Sequence, residues 1–134
     1  YKIPFQNRTI NGDKVEYFQN GKLKRKTPYQ NGKRNGKVFE YFDNGNIKKE
    51  TMYDLNNKAD GDHFEYFING NLKHKETYLN TKYDGDKLEY FENGVIFIKG
   101  QYFEGEMNGL WKEYYNNRTL QSEKQYINGE PTGK

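Results

Sequence analysis

The segment Gly36-Lys37-Val38-Phe39-Glu40-Tyr41-Phe42-Asp43-Asn44-Gly45-Asn46-Ile47-Lys48-Lys49-Glu50-Thr51-Met52-Tyr53 has the lettering of one β-hairpin. Asn-Gly between alternating apolar residues is the strongest short-range hairpin signal, because both residues tolerate the positive φ that tight turns require. The pattern predicts one short strand on each side of Asn44-Gly45. A helix over this window would have to run through the Asn-Gly, a poor helix dipeptide.

Outward from this segment the same word recurs. The interval from Tyr41 to Tyr53 is repeated by Tyr17 to Tyr29, Tyr66 to Tyr78, Tyr90 to Tyr102 and Tyr114 to Tyr126. Each copy opens with a glycine (Gly12, Gly36, Gly61, Gly85, Gly109), followed four residues on by Glu16, Glu40, Glu65, Glu89 or Glu113. An aliphatic stands beyond each turn (Leu23, Ile47, Leu72, Ile96, Leu120). Such self-similarity marks a repeat array, whose units bury their apolar faces only against their neighbours. Residues 1–11 form a half unit, with Phe5 at the place of a second tyrosine. Full units begin at residues 12, 36, 61, 85 and 109.

The expected fold is all-β: one elongated, twisted, open-ended antiparallel meander of about five stacked hairpins, forming a single domain over residues 1–134. Ten strands at ~4.8 Å give a ribbon roughly 50 Å long. Two registers are open. A two-residue turn sets Phe18 opposite Leu23, whereas a three-residue turn with a bulge sets Tyr17 opposite Leu23 and gathers Val15, Tyr17, Leu23 and Tyr29 on one face. Pro28 is expected where the ladder needs no donor, and Pro4 and Pro131 near the ends would blunt edge pairing.

Composition fits a thin sheet. Hydrophobic residues are 32% and aromatics 17% of the 134, so aliphatics are too few for a thick core and Tyr and Phe must carry the burial. The chain has no cysteine, which excludes disulfides and thiolate metal sites and leaves the compartment open. No apolar run approaches the ~20 residues that span a bilayer, so the chain is not expected to be transmembrane. The sequence opens without Met and inside a repeat, as expected of a trimmed product, so localisation stays open. Residues 1–59 carry 13 basic and 6 acidic side chains (+7), and residues 60–134 carry 9 and 13 (−4). Nucleic acid would favour a basic ribbon throughout, so it is not the expected partner.

The pattern of Gly, Tyr-aromatic, Asn-Gly with an aliphatic two residues on, Tyr, then Asn-Gly-Lys and a closing Gly resembles the bacterial variant of the MORN repeat. The segments from Asn35 to Gly61 and from Asn108 to Gly133 show it, and the likeness runs from about Phe5 to Gly133. Departures lie at Asn56-Asn57, Asn80-Thr81 and Arg118. The resemblance implies an extended sheet of stacked hairpins without catalytic residues. It also implies relatives described as antitoxin or immunity-like, and arrays linked to protein scaffolding and anionic phospholipid.

Chemistry is sparse. His63-Phe64-Glu65 has the His-x-Glu of a zinc deaminase without its cysteine pair. His63 and His74 could approach across a hairpin but offer no clear third ligand, and His74 occupies the column of Arg25 and Lys49, where a solvated base is expected. Gly32 to Lys37 is one residue short of a P-loop, and Asp60-Gly61-Asp62 and Asp84-Gly85-Asp86 lack the spacing of a calcium loop. The expectation is a non-enzyme with no cofactor and no metal.

Function is then sought where copies differ. Val95, Ile96, Phe97 and Ile98 stand where earlier units place lysines, and Met107, Leu110 and Trp111 begin the next strand. Merged across adjacent strands, they would form an apolar patch for a protein partner such as a toxin or effector, or else a piece of local core. Alternatively, Lys22, Lys24, Arg25, Lys26, Lys48 and Lys49, continued by Lys73 and Lys75, would form a stripe for anionic lipid or acidic polymer, unless they merely keep the sheet soluble. The tyrosine columns suit packing better than ligand stacking.

Overall fold

The computed structural model describes residues 11–132. The half unit 1–11, with Phe5 and Pro4, lies outside them except for Asn11, and Gly133 is outside as well.

Every regular element among the described residues is a strand. In chain order they are β1 (Gly12–Tyr17), β2 (Leu23–Gln30), β3 (Lys33–Arg34), β4 (Gly36–Tyr41), β5 (Ile47–Tyr53), β6 (Ala59–Tyr66), β7 (Leu72–Leu79), β8 (Lys82–Tyr83), β9 (Gly85–Tyr90), β10 (Ile96–Phe103), β11 (Glu106–Met107), β12 (Gly109–Tyr114), β13 (Leu120–Ile127) and β14 (Glu130–Pro131). They form one antiparallel sheet in the order β1-β2-β4-β5-β6-β7-β9-β10-β12-β13-β14, with β3, β8 and β11 pairing onto β2, β7 and β10. The ten long strands are those expected; four two-residue strands, one after each second turn except that of the second unit, were not.

Two kinds of turn alternate. In the first, Gly21 N–H bonds the Phe18 carbonyl at 2.9 Å and Phe18 N–H bonds the Lys22 carbonyl at 2.8 Å, and Gly21 has φ +86°. Asn20 takes no positive φ; its Oδ1 accepts the Lys22 N–H at 2.8 Å instead. The asparagine works through its side chain, and only the glycine needs the left-handed backbone. Asparagine amides also reach the next turn: Asn44 Nδ2 donates to the Ile68 carbonyl at 3.2 Å, and Asn69 Nδ2 to the Glu92 carbonyl at 3.3 Å. In the second kind both central residues are left-handed, as at Asn31 (φ +52°) and Gly32 (φ +81°). The departures still turn. Asn80-Thr81 keeps the two-residue geometry, Arg118 accepts φ +76°, and Asp54–Lys58 adopts the first kind, with Asn57 left-handed.

The first turns carry the bulge. Tyr17 pairs with Leu23 and Glu16 with Arg25, which leaves Lys24 extra. This selects the second register but separates the expected quartet. Val15, Tyr17 and Leu23 share a face, and Tyr29, beyond the extra residue, is on the other, because one added residue inverts the alternation. The pattern recurs at Tyr41/Ile47, Tyr66/Leu72, Tyr90/Ile96 and Tyr114/Leu120. The first tyrosines therefore line one face and the second tyrosines the other. Pro28 lies beside the Asn35–Gly36 bulge, where Asn35 N–H bonds the Pro28 carbonyl at 3.0 Å.

Candidate functional site

The face bearing Tyr29, Tyr53, Tyr78, Tyr102 and Tyr126, called here the groove face, holds three rows across the strands. One is the tyrosine row. The second alternates in charge over much of its length: Glu16, Arg25, Glu40, Lys49, Glu65, His74 and Glu89, then Ile98, Glu113 and Ser122. Between them runs a middle row of Thr27, Val38, Thr51, His63, Glu76, Lys87, Gly100 and Trp111. The first six of these are buried, which makes this row the nearest thing to a core, although most of it is polar.

A polar chain therefore crosses the centre. Thr51 Oγ1 and His63 Nδ1 share a hydrogen bond of 2.7 Å, and Glu65 lies 3.0 Å from His63 Nε2 and 3.3 Å from His74 Nε2. His74 Nδ1 is 3.4 Å from Glu76 Oε1, within ion-pair reach but off the hydrogen-bond line. Glu76 binds Lys87, which also reaches Glu89 at 3.0 Å. Burial alone would raise the Glu76 pKa, but the ion-pair contact with His74 and the hydrogen bond from Lys87 outweigh it and hold the carboxyl at about 2. The same kind of balance lowers Glu65: burial is the largest influence and opposes the bond from His63 and the charge of His74. His74 is thus not the solvated base expected from its column. Glu65, Glu76 and the His63 ring stand around it and leave its side chain 19% exposed. The two rings come within 5.9 Å of one another, yet no group of three His, Asp or Glu among the described residues could hold a metal.

Farther along, the middle row changes character. Gly100 replaces Thr27, Thr51 and Glu76 in its column, and Trp111 stands where other units have Lys14, Val38, His63 and Lys87. The two are complementary, since a Cβ built on Gly100 would fall inside the indole. Trp111 Nε1 donates to the Gln101 carbonyl at 3.0 Å, and the ring meets Tyr102 edge-on at 5.2 Å and Tyr126 at 6.3 Å. A groove of about 340 Å³ opens here, lined by Ile98, Met107, Trp111 and Tyr126 with Ser122 and Lys124. Gly100→Ala is expected to eject the indole and cost about 1–3 kcal/mol. A urea titration and near-UV circular dichroism check this, and Trp111→Lys in the same chain should relieve the clash.

Five copies of the MORN repeat variant match residues 10–31, 34–55, 59–80, 83–104 and 107–128. The chain belongs to the MORN repeat variant family. Repeats of this kind are generally binding modules for protein or membrane lipid. No curated protein matches the chain. The matched MORN units start two residues before each opening glycine, and each of them ends at a second turn. No helix among the described residues is long and apolar enough to cross a membrane.

In this MORN sheet the seven apolar candidates do not merge. Ile98, Met107 and Trp111 share the groove. Ile96, paired with Tyr90, and Leu110, paired with Gln125, lie on the opposite face. Phe97 is the extra residue of its bulge and packs on Phe91 at 4.8 Å, and Val95 is buried in the turn. Alternation along β12 sends the neighbours Leu110 and Trp111 to opposite faces. The bulge between Ile96 and Ile98 does the same there.

The basic stripe divides too. Lys24 and Lys48 are bulge residues 5.9 Å from the Phe18 and Phe42 ring centroids, as is Lys73 at 5.7 Å from Phe67, and Lys22 is exposed in its turn. Arg25 and Lys49 stand on the groove face between glutamates, Arg25 3.5 Å from Glu40. On the other face Lys26 meets Asp13 at 3.6 Å and Lys75 meets Asp62 at 4.0 Å. Among the second tyrosines, Tyr83 of β8 inserts between Tyr78, at 4.9 Å, and Tyr102, at 5.0 Å, and there occupies the ring faces a sugar would need.

Gly100 and the central polar chain escaped the sequence reading. A signal for Gly100 existed in the columns: a loss of bulk in one strand beside a gain of bulk in the next.

Proposed function

We propose that this chain is a non-catalytic scaffold that recognises another protein through the groove around Trp111. An antitoxin or immunity-like role against a toxin or effector is its specific form. The observation that carries the reading is the Gly100–Trp111 pair. The array gives up a side chain at one position to seat its only tryptophan beside an open groove, and tryptophan in such a setting is the usual anchor of a protein interface. The two histidines are engaged by Thr51, Glu65 and Glu76, which supports a structural rather than a catalytic use.

The test is affinity capture from the source cell's extract, with Trp111→Ser as bait beside the parent chain and circular dichroism to certify the fold. A partner retained by the parent and lost with Trp111→Ser supports the reading; equal retention refutes it. A surface-binding module for anionic lipid or acidic polymer is the weaker alternative, because its lysines and arginine are divided between faces and several are already paired with acids. Binding to acidic vesicles that falls steeply with salt would favour it instead.

A further inference from the structure

The residue after the second tyrosine is Gln30 and Asp54 in the first two units, then Leu79, Phe103 and Ile127. These three are 53, 53 and 56% exposed, more open than any apolar side chain of the groove. Alternation puts them opposite the tyrosines, along the margin of the face away from the groove. Successive copies lie two strands apart, so the three side chains are spaced by about 10 Å. Leu110, also exposed, lies on the same face in β12, between the strands of Phe103 and Ile127.

Charge at this margin is one-sided. Glu106 and Glu130 pair across the turns with Phe103 and Ile127, and Glu104 is the first residue of the intervening turn. None of the three is ion-paired among the described residues, and, unlike the other unpaired acids, they stand beside exposed Phe103 and Ile127. Among the described residues, the one basic side chain paired with the row is Lys82, opposite Leu79. Acids that lack an intramolecular partner beside exposed apolar side chains repel a second copy docking by the same surface and repel an acidic membrane. They attract a cation that carries apolar groups.

We infer that the Leu79–Phe103–Ile127 margin docks a cationic amphipathic helix of a partner protein. An α-helix advances 1.5 Å per residue, so apolar side chains seven residues apart are about 10.5 Å apart and meet the row in step. Basic residues beside that stripe meet Glu104, Glu106 and Glu130. An extended strand has no such match, because residues three apart, at about 10 Å, point to opposite faces. The surface is separate from the groove, and neither requires the other.

The probe is a 21-residue (three-heptad) peptide with leucine at heptad positions a and d and lysine elsewhere, titrated against the whole chain, with its glutamate-for-lysine counterpart as comparison. The lysine peptide should bind and the glutamate peptide should not. Leu79→Ser, Phe103→Ser and Ile127→Ser together should weaken binding by about tenfold or more. Glu106→Lys with Glu130→Lys should reverse the preference between peptides. Trp111 fluorescence should not move, because the indole faces the other way. Absence of binding, binding unchanged in the triple variant, or a shift in Trp111 emission would each overturn the inference. So would a concentration-dependent dimer that the triple variant abolishes, which would assign the row to a second copy. Loss of the captured partner on Trp111→Ser bears only on the groove.

Discussion

Lys87→Met is expected to destabilise the sheet by about 3 kcal/mol, read as a fall in the urea midpoint. Lys87 and Glu76 are both buried, and Lys87 is the main hydrogen-bonding cation left to Glu76 once His74 loses its proton. Methionine fills the volume of the lysine stem but leaves the carboxylate in place, away from water. The cost therefore comes from the glutamate left behind and not from lost packing. A double variant separates the two. Thr27 on β2 and Val38 on β4 occupy the positions of Glu76 and Lys87 in the preceding repeats. Glu76→Thr with Lys87→Val should thus return stability to within about 1 kcal/mol of the parent, since exchanging a buried ion pair for apolar groups is often neutral. A double variant as unstable as the single would show that the lysine stem, not the stranded charge, holds β7 to β9.

The comparison of Thr27/Val38 with Glu76/Lys87 shows what the sequence made legible. Turn positions and strand limits follow from local rules, since Gly21 needs a left-handed backbone. Two registers satisfied those rules, and it took the structure to select the one in which Tyr17 meets Leu23 and the Asn20 side chain closes the turn. Faces were harder. One extra residue, Lys24, reverses the alternation between Leu23 and Tyr29, and no local signal announces that inversion. The same physics split the seven apolar candidates, although Trp111 did mark a real groove. The polar chain stayed hidden because burial in a single-layer sheet depends on flanking rows. His74 resembles Arg25 and Lys49 in its column, but only in its own repeat do His63 and Glu76 stand beside it. The margin of Leu79, Phe103 and Ile127 was visible in the columns and differs from Gln30 and Asp54 as sharply as Trp111 does from Lys87.

Stability should peak on the acidic side of neutrality and fall on both flanks, with His74 setting the alkaline one. Contact with Glu76 raises the His74 pKa above its ordinary 6.5, against burial and with help from Glu65. A base whose folded pKa is raised stabilises the fold fully below its unfolded pKa, and that contribution is lost as pH climbs through the folded value. Glu76 behaves oppositely. Its pKa falls from 4.5 to about 2, so its contribution is present above 4.5 and is lost on descent towards 2. Both contributions are complete only between about pH 4.5 and 6.5. From pH 6 to pH 8.5 the loss should be on the order of 1 kcal/mol, the worth of a charge-assisted contact that is partly screened. The groups facing His74 are Glu65, Glu76 and Lys87, with His63 and Glu89 adjoining. Of these, Glu65, Glu76 and Lys87 are shifted in the direction that keeps them charged across this interval. His74→Lys places a permanent cation where Lys49 already stands in the preceding repeat, and it should hold the plateau through pH 8.5. His74→Gln should remove the plateau's rise and, by taking away one of the two groups that hold the Glu76 carboxyl down, move the acid limb to higher pH. An alkaline flank that survives in His74→Lys would assign the titration to another group and break the link between this histidine and the fold.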